Sequence, residues 1–327
     1  LDNSGSMSGR LAGAVQIHYP VDVNVDSNGN IYVLEYWNNR IKKFDSSGNY
    51  LKSFGGPGSG CSQWRSARQF DIKDNIIYIS DTNNFRYVLL DLEGNCYRTQ
   101  DAGNLLRETP YAMAVGGGYA WVSSATRIAS HFYPSMQGNS GSNVANSDGR
   151  GSFIWGMSFN RSGSKIAYAN YSKSRVTMKN RSGHQLSGTG QHCSANLPTD
   201  TAWDSSGNVY YTSVGDHAVY KISNFNTCAQ TKFVGSWSTS SGFRYPYGIE
   251  IDSSDNIYVT DYYNFSIRKY NTSGTETLTV GGSRTRLEAA KKVIKKIVSN
   301  TDLTSGANFG LMEWSTTRST DTRIRVK

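Results

Sequence analysis

The sequence has few of the features that mark membrane-spanning or mainly helical proteins. Hydrophobic residues make up only 37% of the 327 residues. No apolar run approaches the roughly 20 residues that a membrane span needs. Glycine (33) and tyrosine (21) are abundant. This mixture favours short strands joined by many turns, so we predict a mainly β chain without a membrane span.

Patterns typical of catalytic centres are also missing. The histidines show no close metal-ligand spacing and fall in different parts of the chain: His18, His131, His184, His192 and His217. No Gly-x-Ser-x-Gly elbow precedes a helix, and nothing resembles an acid/base pair of carboxylates. We therefore expect surface or structural roles for the histidines and predict a binding protein, not an enzyme.

The charge distribution does not indicate nucleic-acid binding. The net charge is +9, but lysine and arginine are scattered through the chain. The one cluster consists of Lys291, Lys292, Lys295 and Lys296 and lies on a predicted helix. A solvated helix face is the favoured interpretation, so we expect no nucleic-acid partner.

A strand marker of three mostly hydrophobic residues recurs six times. Its central residues are Tyr32, Tyr78, Trp121, Ala167, Tyr210 and Tyr258. The spacings between them are 46, 43, 46, 43 and 48 residues. A period of roughly 40 to 50 residues, with β-branched and aromatic strands between Gly/Asn turns, indicates a propeller and argues against a helical solenoid.

Each repeat is predicted to form a blade of four short antiparallel strands. In the first repeat the predicted strands are 21–25, 31–34, 40–44 and 50–54. Asp26–Asn30 and Asp45–Asn49 are predicted turns, because Asn, Asp and Gly tolerate left-handed backbone. Acidic residues at equivalent places, such as Asp81 and Asp261, are expected to cap turns. Closing six blades into a ring protects the sheet edges.

These repeats resemble the NHL family of propellers over roughly residues 18–282. The best match is Asn38-Asn39-Arg40 in the first repeat, with Arg86 and Arg175 at the equivalent places of the second and fourth. Repeats five and six carry Ala218 and Ser266 there. The resemblance therefore implies the propeller fold but no arginine function common to the whole ring.

The four cysteines occupy equivalent positions in two repeats. Cys61 and Cys193 each lie 17 residues before a central marker residue, and Cys96 and Cys228 each lie 18 residues after it. Of the three possible pairings, only Cys61–Cys96 with Cys193–Cys228 gives both blades the same link, from the segment entering the blade to its outermost strand. Such disulfides predict maturation outside a reducing cytosol. Free buried thiols are the alternative, whereas a zinc site usually needs closely spaced cysteine pairs.

The two ends of the chain carry a different pattern. Asp2, Ser4 and Ser6 form an Asp-x-Ser-x-Ser loop, which presents three hard oxygen ligands on one turn and suits Mg²⁺ or Mn²⁺. A serine-rich turn without metal is the alternative. Near the other end, the capping box Thr285–Glu288 opens a predicted helix with an apolar stripe that extends to Val298.

These end segments, with 309–314 as a strand, resemble a von Willebrand factor A domain. The resemblance implies a doubly wound α/β fold with a metal-ion-dependent adhesion site that holds Mg²⁺, or Mn²⁺ or Ca²⁺. Its first-loop ligands match Asp2, Ser4 and Ser6. The predicted organisation is an A-domain segment at 1–10, a six-bladed NHL-like propeller at 11–282 inserted into it, and a truncated second A-domain segment at 283–327.

The loop Ser4–Gly9, the residues after Arg286 and Phe309–Met312 most resemble the N-terminal part of PilY-like type IV pilus tip adhesins. That family implies an extracellular protein at the pilus tip, on the cell surface. Its metal would bind an acidic group of a protein or surface ligand, and pilus minor subunits would be further partners. The alternatives are a secreted or surface-anchored A-domain matrix or filament protein with a structural propeller and, less favoured, an extracellular propeller lyase.

Overall fold

The computed structural model describes residues 15–101, 109–124, 127–132, 144–145, 153–182, 185–236, 242–282, 312–313 and 325–326. The chain divides into two compact units, one of residues 15–283 and the other of residues 1–14 with 284–327. The unit 15–283 contains six four-stranded antiparallel sheets, formed one after another along the chain. It is a six-bladed β-propeller, as the repeat predicts.

Each blade uses four consecutive strands, and the first strands of successive blades line the central channel. Blades one and two consist of β1 Pro20–Val25, β2 Ile31–Glu35, β3 Arg40–Phe44, β4 Tyr50–Gly55, β5 Phe70–Lys73, β6 Ile76–Asp81, β7 Arg86–Asp91 and β8 Cys96–Asp101. Blades three and four consist of β9 Met113–Gly116, β10 Tyr119–Ser123, β11 Arg127–Phe132, β12 Val144–Ala145, β13 Ile154–Phe159, β14 Lys165–Asn170, β15 Arg175–Ser182 and β16 Gln185–Ser194. Blades five and six consist of β17 Pro198–Trp203, β18 Val209–Ser213, β19 Ala218–Asn224, β20 Ala229–Gly235, β21 Pro246–Ile251, β22 Ile257–Asp261, β23 Ser266–Tyr270 and β24 Glu276–Gly281.

A repeated side-chain-stabilised turn closes many of the hairpins. Asp26 Oδ1 accepts hydrogen bonds from the backbone N–H groups of Asn28 and Asn30, both at 2.9 Å, while Gly29 takes a φ of 79°. The bond from the N–H four residues further on recurs at Asp45, Asp91, Asp204 and Asp252. The carboxylate thus satisfies turn amides locally, which explains why this short motif sets the strand boundaries.

The strand markers form the packing layers between blades. All six lie on the second strand of a blade, and Tyr32, Tyr78, Trp121, Tyr210 and Tyr258 are buried against the next blade. Blade four differs, because Ala167 faces blade five and the neighbouring Tyr168 packs back against blade three. Since successive strand residues point to opposite faces, a shift of one position moves the aromatic ring to the other side.

The ring closes by packing of blade one against blade six. Each of these blades is a continuous segment, so no strand is exchanged between them. Ile17 and Val23 share a buried cluster with Tyr258 and Val280. A Cβ added to Gly281 would lie 2.9 Å from the Ile17 side chain. The beginning and the end of the propeller are therefore adjacent in space.

Both predicted disulfides are present. Cys61–Cys96 and Cys193–Cys228 have Cα separations of 5.7 Å and 5.4 Å, each across 35 residues of sequence. The first bond ties the connection that enters blade two to the outermost strand of that blade, as predicted. The second was predicted to do the same in blade five, but Cys193 lies on β16, the outermost strand of blade four. It therefore joins two neighbouring blades, because β16 extends further along the chain than the corresponding strand of blade one.

The described residues contain no α-helix, only the 3₁₀ turns Thr82–Asn84 and Tyr262–Asn264. They give no support for the predicted α/β A domain. Its metal loop with Asp2, Ser4 and Ser6 and its helix from Arg286 lie outside the described residues, so both stay predictions. Of the predicted strand 309–314, β25 Met312–Glu313 is described, paired antiparallel with β26 Arg325–Val326. In the described part, no helix is long and apolar enough to cross a membrane.

Candidate functional site

The propeller channel has two chemically different ends. We call the end where the six innermost strands begin the aromatic end, and the end where they finish the polar end. Between them lies the waist, centred on Gln69. Gln69 Nε2 donates to Asp200 Oδ1 at 3.0 Å and to Met157 O at 3.2 Å, and its Oε1 accepts from Met113 N at 2.9 Å. This one amide side chain crosses the channel and connects blades two, three, four and five.

Three carboxylates near the waist act as latches between blades. Each accepts a hydrogen bond from a backbone N–H group of the next blade. The bonds run from Phe70 N to Asp22 at 2.8 Å, from Val115 N to Asp71 at 2.6 Å and from Ile249 N to Asp200 at 3.0 Å. The acceptors satisfy strand amides that no ladder partner can reach, so the carboxylates stabilise the ring.

Burial makes these carboxyl groups weak acids. It raises the pKa of Asp71 to about 7 and the pKa of Asp200 to about 8, against the opposing effect of their backbone hydrogen bonds. Burial, followed by the charges of neighbouring carboxylates, also raises the pKa values of Asp22 and Glu250 well above their ordinary values. Desolvation thus favours the protonated, uncharged form of the channel acids.

The polar end opens into a cavity of about 210 Å³. Its charged lining includes Asp71, Lys73, Arg161 and Glu250. Across the ranges that the structure describes, no group of three or more His, Cys, Asp or Glu residues could hold a metal ion. Of the acids named here, Asp71 uses one oxygen for its latch with Val115 N.

The aromatic end carries a nearly continuous layer of rings. They come from residues just before or at the start of the innermost strands and from residues just after the second strands. The set comprises Tyr19, Tyr36, Trp37, Tyr111, Phe153, Trp155, Tyr171, Tyr245, Tyr247, Tyr262 and Tyr263. Because these two chain positions lie at the same end of every blade, the fold collects the rings around the channel mouth.

Ring contacts hold this layer in place across blades. Trp155 stacks on Tyr171 with centroids 4.0 Å apart and lies nearly parallel to Tyr247 at 5.8 Å. Tyr247 contacts Tyr262 at 5.1 Å, and the Tyr262 hydroxyl accepts a 3.1 Å hydrogen bond from Trp37 Nε1. Such pairs add to the stability of the layer beyond their buried area. The layer therefore joins blades four, six and one in one chain of contacts.

Backbone strain accompanies the tyrosines of blades one and six. Tyr19 and Tyr245 have positive φ values of 47° and 62°. The carbonyl of each accepts a hydrogen bond from the residue after the second strand, Tyr36 N at 3.2 Å and Tyr262 N at 3.1 Å. Left-handed backbone is uncommon for bulky residues and is retained where the surroundings demand it. Here it places two tyrosines at the channel mouth.

Part of the layer faces solvent. Trp37 is 64% exposed and Tyr263 is 42% exposed, and Phe153 and Tyr245 are also exposed. Large apolar rings of this kind are enriched in binding interfaces, where they supply rigid contact area. Grouped at one end of a channel, they form the strongest candidate binding surface among the described residues.

Arg68 lies at the centre of the aromatic end. Its guanidinium carbon is 5.2 Å from the Tyr36 ring centroid, 5.8 Å from that of Tyr111 and 5.1 Å from that of Trp155. One nitrogen reaches the Tyr36 hydroxyl at 3.5 Å, while the buried Nε has no hydrogen-bond partner among the described residues. Arg68 also lines a narrow space of about 10 Å³ above the waist, together with Tyr247.

The histidines are dispersed, as predicted. His217 Nδ1 accepts a 3.1 Å hydrogen bond from Tyr245 N, and burial lowers the pKa of this histidine. His192 contacts Thr177 in the outer strands of blade four, and His18 lies beside Phe265. The side chains of His131 and His184 lie outside the described residues.

Asp81 and Asp261 lie at the start of the two 3₁₀ turns, as expected, but neither caps the turn backbone with a side-chain hydrogen bond. Each carboxylate instead binds an asparagine side chain of the turn. Asn84 donates to Asp81 at 2.8 Å, and Asn264 donates to Asp261 at the same distance. Each carboxylate also pairs with an arginine, Arg86 at 2.7 Å and Arg268 at 3.0 Å, respectively. In blade one, Glu35 takes this place and lies 3.6 Å from Arg40. Arg86 and Arg268 also donate to loop carbonyl groups, those of Ser59 at 2.8 Å and Gly242 at 3.1 Å.

Sequence reasoning missed the aromatic end and Arg68. A signal was present, because repeats one, four and six carry tyrosine four residues after the central marker residue, at Tyr36, Tyr171 and Tyr262. Arg68 had no such signal, since it belongs to the irregular connection that enters blade two. The predicted metal ligands Asp2, Ser4 and Ser6 lie outside the described residues, so the structure does not place them.

Comparison with known proteins agrees with this fold. The NHL repeat family matches residues 18–44 and 243–270, in blades one and six. No curated protein matches the sequence. A streptogramin B lyase structure aligns with a TM-score of 0.57 and 13% identity, over 84% of this chain and 86% of that chain.

Two further solved structures come from proteins with different roles. An auxiliary nutrient binding protein from Bacteroides thetaiotaomicron aligns with a TM-score of 0.62 and 13% identity, over 78% of this chain and 69% of that chain. A chain of the nidogen/laminin complex aligns with a TM-score of 0.51 and 15% identity, over 78% and 90%. At these identities the similarity is one of fold, and one fold hosts many functions. The chain therefore carries NHL repeats in a six-bladed propeller.

Proposed function

We propose that this chain is part of an extracellular adhesion protein and that the aromatic end of the propeller is a ligand-binding face. The observation that carries the proposal is the layer of rings around the channel mouth, with Trp37 64% exposed. Tyrosine and tryptophan dominate binding energy at protein interfaces, because they offer large contact area at a small cost in conformational entropy. The ring contacts between blades prearrange this face before a ligand arrives.

A binding role also accounts for the channel chemistry better than catalysis does. The carboxylate oxygens of Asp22, Asp71 and Asp200 accept hydrogen bonds from strand amides of neighbouring blades, and Gln69 fills the waist. Groups engaged in this way serve the ring and are poorly placed to exchange protons with a substrate. We therefore propose that the protein is not an enzyme.

The extracellular location is supported by the two disulfides. Cys61–Cys96 and Cys193–Cys228 use all four cysteines of the chain. Disulfides of this kind persist in oxidising compartments and are rare in the cytosol. We place the protein at the cell surface, at the tip of a type IV pilus as in PilY-like adhesins, with pilus minor subunits as partners.

The insertion of the propeller into a von Willebrand factor A domain is part of the same proposal. It is supported by the adjacency of the propeller ends, where Ile17 meets Gly281. Ends that lie side by side allow a whole domain to be inserted at one loop of another. In this arrangement Asp2, Ser4 and Ser6 would bind Mg²⁺, whose shell an acidic group of a partner completes.

The test compares exposed aromatic residues at and away from the proposed face. The intact protein, Trp37→Ala, Tyr263→Ala and the control Tyr97→Ala are assayed against arrays of purified glycans and matrix proteins. Tyr97 is 61% exposed and lies on the outermost strand of blade two, so it matches Trp37 in exposure but not in location. We expect Trp37→Ala to weaken binding by roughly thirtyfold, as for a hot-spot tryptophan worth about 2 kcal/mol.

A second arm separates the metal loop from the propeller face. Binding is measured with Mg²⁺, with chelator and with Asp2→Ala. Loss of binding in the last two conditions, with no effect of Trp37→Ala, would assign adhesion to the metal loop and reject the aromatic face. If none of these changes affects binding, both the metal loop and the aromatic face are rejected as binding sites, and the propeller is a structural spacer.

A further inference from the structure

The Arg68 guanidinium has no charged partner in the part of the chain that the structure describes. Among the described residues it forms no ion pair, although salt bridges elsewhere in the propeller hold Arg86 and Arg268. Within the described ranges its one hydrogen bond is the long contact to the Tyr36 hydroxyl, and its buried Nε has none. A guanidinium offers five N–H donors, and leaving buried donors unused costs free energy.

Two acids border the same space but form no ion pair with Arg68. Asp22 and Asp200 line the same narrow space as Arg68. Both oxygens of Asp22 accept backbone amides, Val23 N and Phe70 N, each at 2.8 Å. Asp200 is likewise occupied, by Thr201 N at 2.8 Å, Ile249 N at 3.0 Å and Gln69. Burial also raises the pKa of both carboxyl groups, which weakens their negative charge near neutral pH.

The rings around Arg68 orient it and limit what can reach it. Tyr36, Tyr111 and Trp155 hold the guanidinium carbon within 5.8 Å of their centroids, a cation–π geometry that retains the charge without an anion. The space beside it, about 10 Å³, has room for about one water-sized group. Only a small polar group at the end of a ligand can enter, while the rest of the ligand lies on the rings.

We propose that Arg68 is the anion-recognition residue of the aromatic end and that the ligand presents a carboxylate to it. One carboxylate oxygen fits the space beside Arg68 and accepts a charge-assisted hydrogen bond from a guanidinium N–H group. The aromatic rings then bind the apolar part next to that carboxylate. This inference rests on the proposed binding function and adds the chemical class of its ligand.

The test uses a probe pair that differs only in charge. The intact protein is titrated with 4-fluorobenzoate and with the near-isosteric neutral 4-fluorobenzamide, and binding is followed by ¹⁹F NMR of the probes. We expect the benzoate to bind at least tenfold more tightly than the benzamide, and Arg68→Met to abolish this preference. Arg68→Lys keeps the charge but not the fork of donors, so we expect an intermediate preference.

The control variant is Arg65→Gln. Arg65 lies three residues earlier in the same connection and is exposed, so its removal changes the net charge equally without touching the cage. Equal binding of both probes to the unaltered protein would overturn the proposal. So would a tenfold preference that survives in Arg68→Met, or one that Arg65→Gln abolishes. Thermal unfolding of each variant checks that the propeller is intact, and Arg68→Lys serves if Arg68→Met does not fold.

Failure of the carboxylate proposal can be distinguished from failure of the proposed binding function. If Trp37→Ala weakens binding of an identified ligand while neither probe prefers the charged form, the aromatic face stands and the carboxylate subsite is refuted. If the probes behave as expected but Trp37→Ala and Tyr263→Ala change no ligand binding, Arg68 recognises anions at a site that adhesion does not use.

Discussion

Ionisation of the channel carboxylates should make the propeller less stable as the pH rises. Burial raises the pKa of Asp71 to about 7, against 3.8 for an ordinary aspartate. Between these two values the folded chain binds more protons than the unfolded chain, so the free energy of unfolding falls with increasing pH. The stability that Asp71 contributes is fully present below pH 4 and is lost as the pH rises through 7.

The size of the effect follows from the same two values. A difference of this size corresponds to about 4 kcal/mol at 1.36 kcal/mol per pH unit. Asp71 borders the cavity of about 210 Å³ and is only partly buried, so solvent reduces the effect to roughly half of that. The substitution Asp71→Asn keeps an oxygen for the Val115 N–H group but cannot ionise. Only about 2 of the roughly 3 pH units that separate the two pKa values lie above pH 5. The substitution should therefore remove about 1.4 kcal/mol of the stability difference between pH 5 and pH 9.

Urea unfolding at pH 5 and pH 9 measures this difference directly. The matched control is Asp45→Asn, because Asp45 is an exposed turn residue whose hydrogen bonds with Asn49 lower its pKa, and it does not titrate in this range. The control should show the same pH dependence as the unaltered protein. An Asp71→Asn variant that loses stability between pH 5 and pH 9 as steeply as the unaltered protein would refute the reasoning.

Three further perturbations test the packing, the disulfides and the waist. Tyr78→Ala should lower the free energy of unfolding in urea by about 3 to 5 kcal/mol, because it empties a fully buried site between blades two and three. The control Tyr50→Ala, at an exposed position, should cost less than about 1 kcal/mol in the same titration. Replacing Cys193 and Cys228 together by serine should cost about 3 to 4 kcal/mol, the chain-entropy value for a loop of 35 residues, and a melting temperature equal to that of the unaltered protein would contradict this. Gln69→Leu leaves strand amides at the waist without acceptors, so we expect a loss of about 2 to 4 kcal/mol in urea unfolding, and an unchanged midpoint would show that water replaces the amide.

The predicted blades agree with the structure because their signals are local. In blade one, the observed strands Pro20–Val25, Ile31–Glu35, Arg40–Phe44 and Tyr50–Gly55 each begin and end within one residue of the predicted ones. The turns between them are specified by Asp, Gly and Asn side chains that bond to their own backbone. Cys61 and Cys96 were paired from their spacing alone, since equivalent positions of a repeat occupy equivalent places in space.

Contacts between blades were less predictable. The shift from Ala167 to Tyr168 turns one ring towards blade three, and the longer β16 moves Cys193 from the entry of blade five to the edge of blade four. Both effects depend on strand register and strand length, which a change of one or two residues alters. The spacing of a marker along the chain does not show which side of a sheet its ring faces.

The sequence by itself determined the number of blades, the order of the strands and the cysteine pairs, because each depends on residues within one repeat or on a fixed spacing between repeats. Only the tertiary structure decided that Tyr36, Arg68, Tyr111 and Trp155 share one site. These residues are far apart in sequence, and each alone resembles an ordinary loop residue. Ring closure brings the same end of every blade to one channel mouth, where the rings surround a guanidinium that no carboxylate of the described residues pairs with.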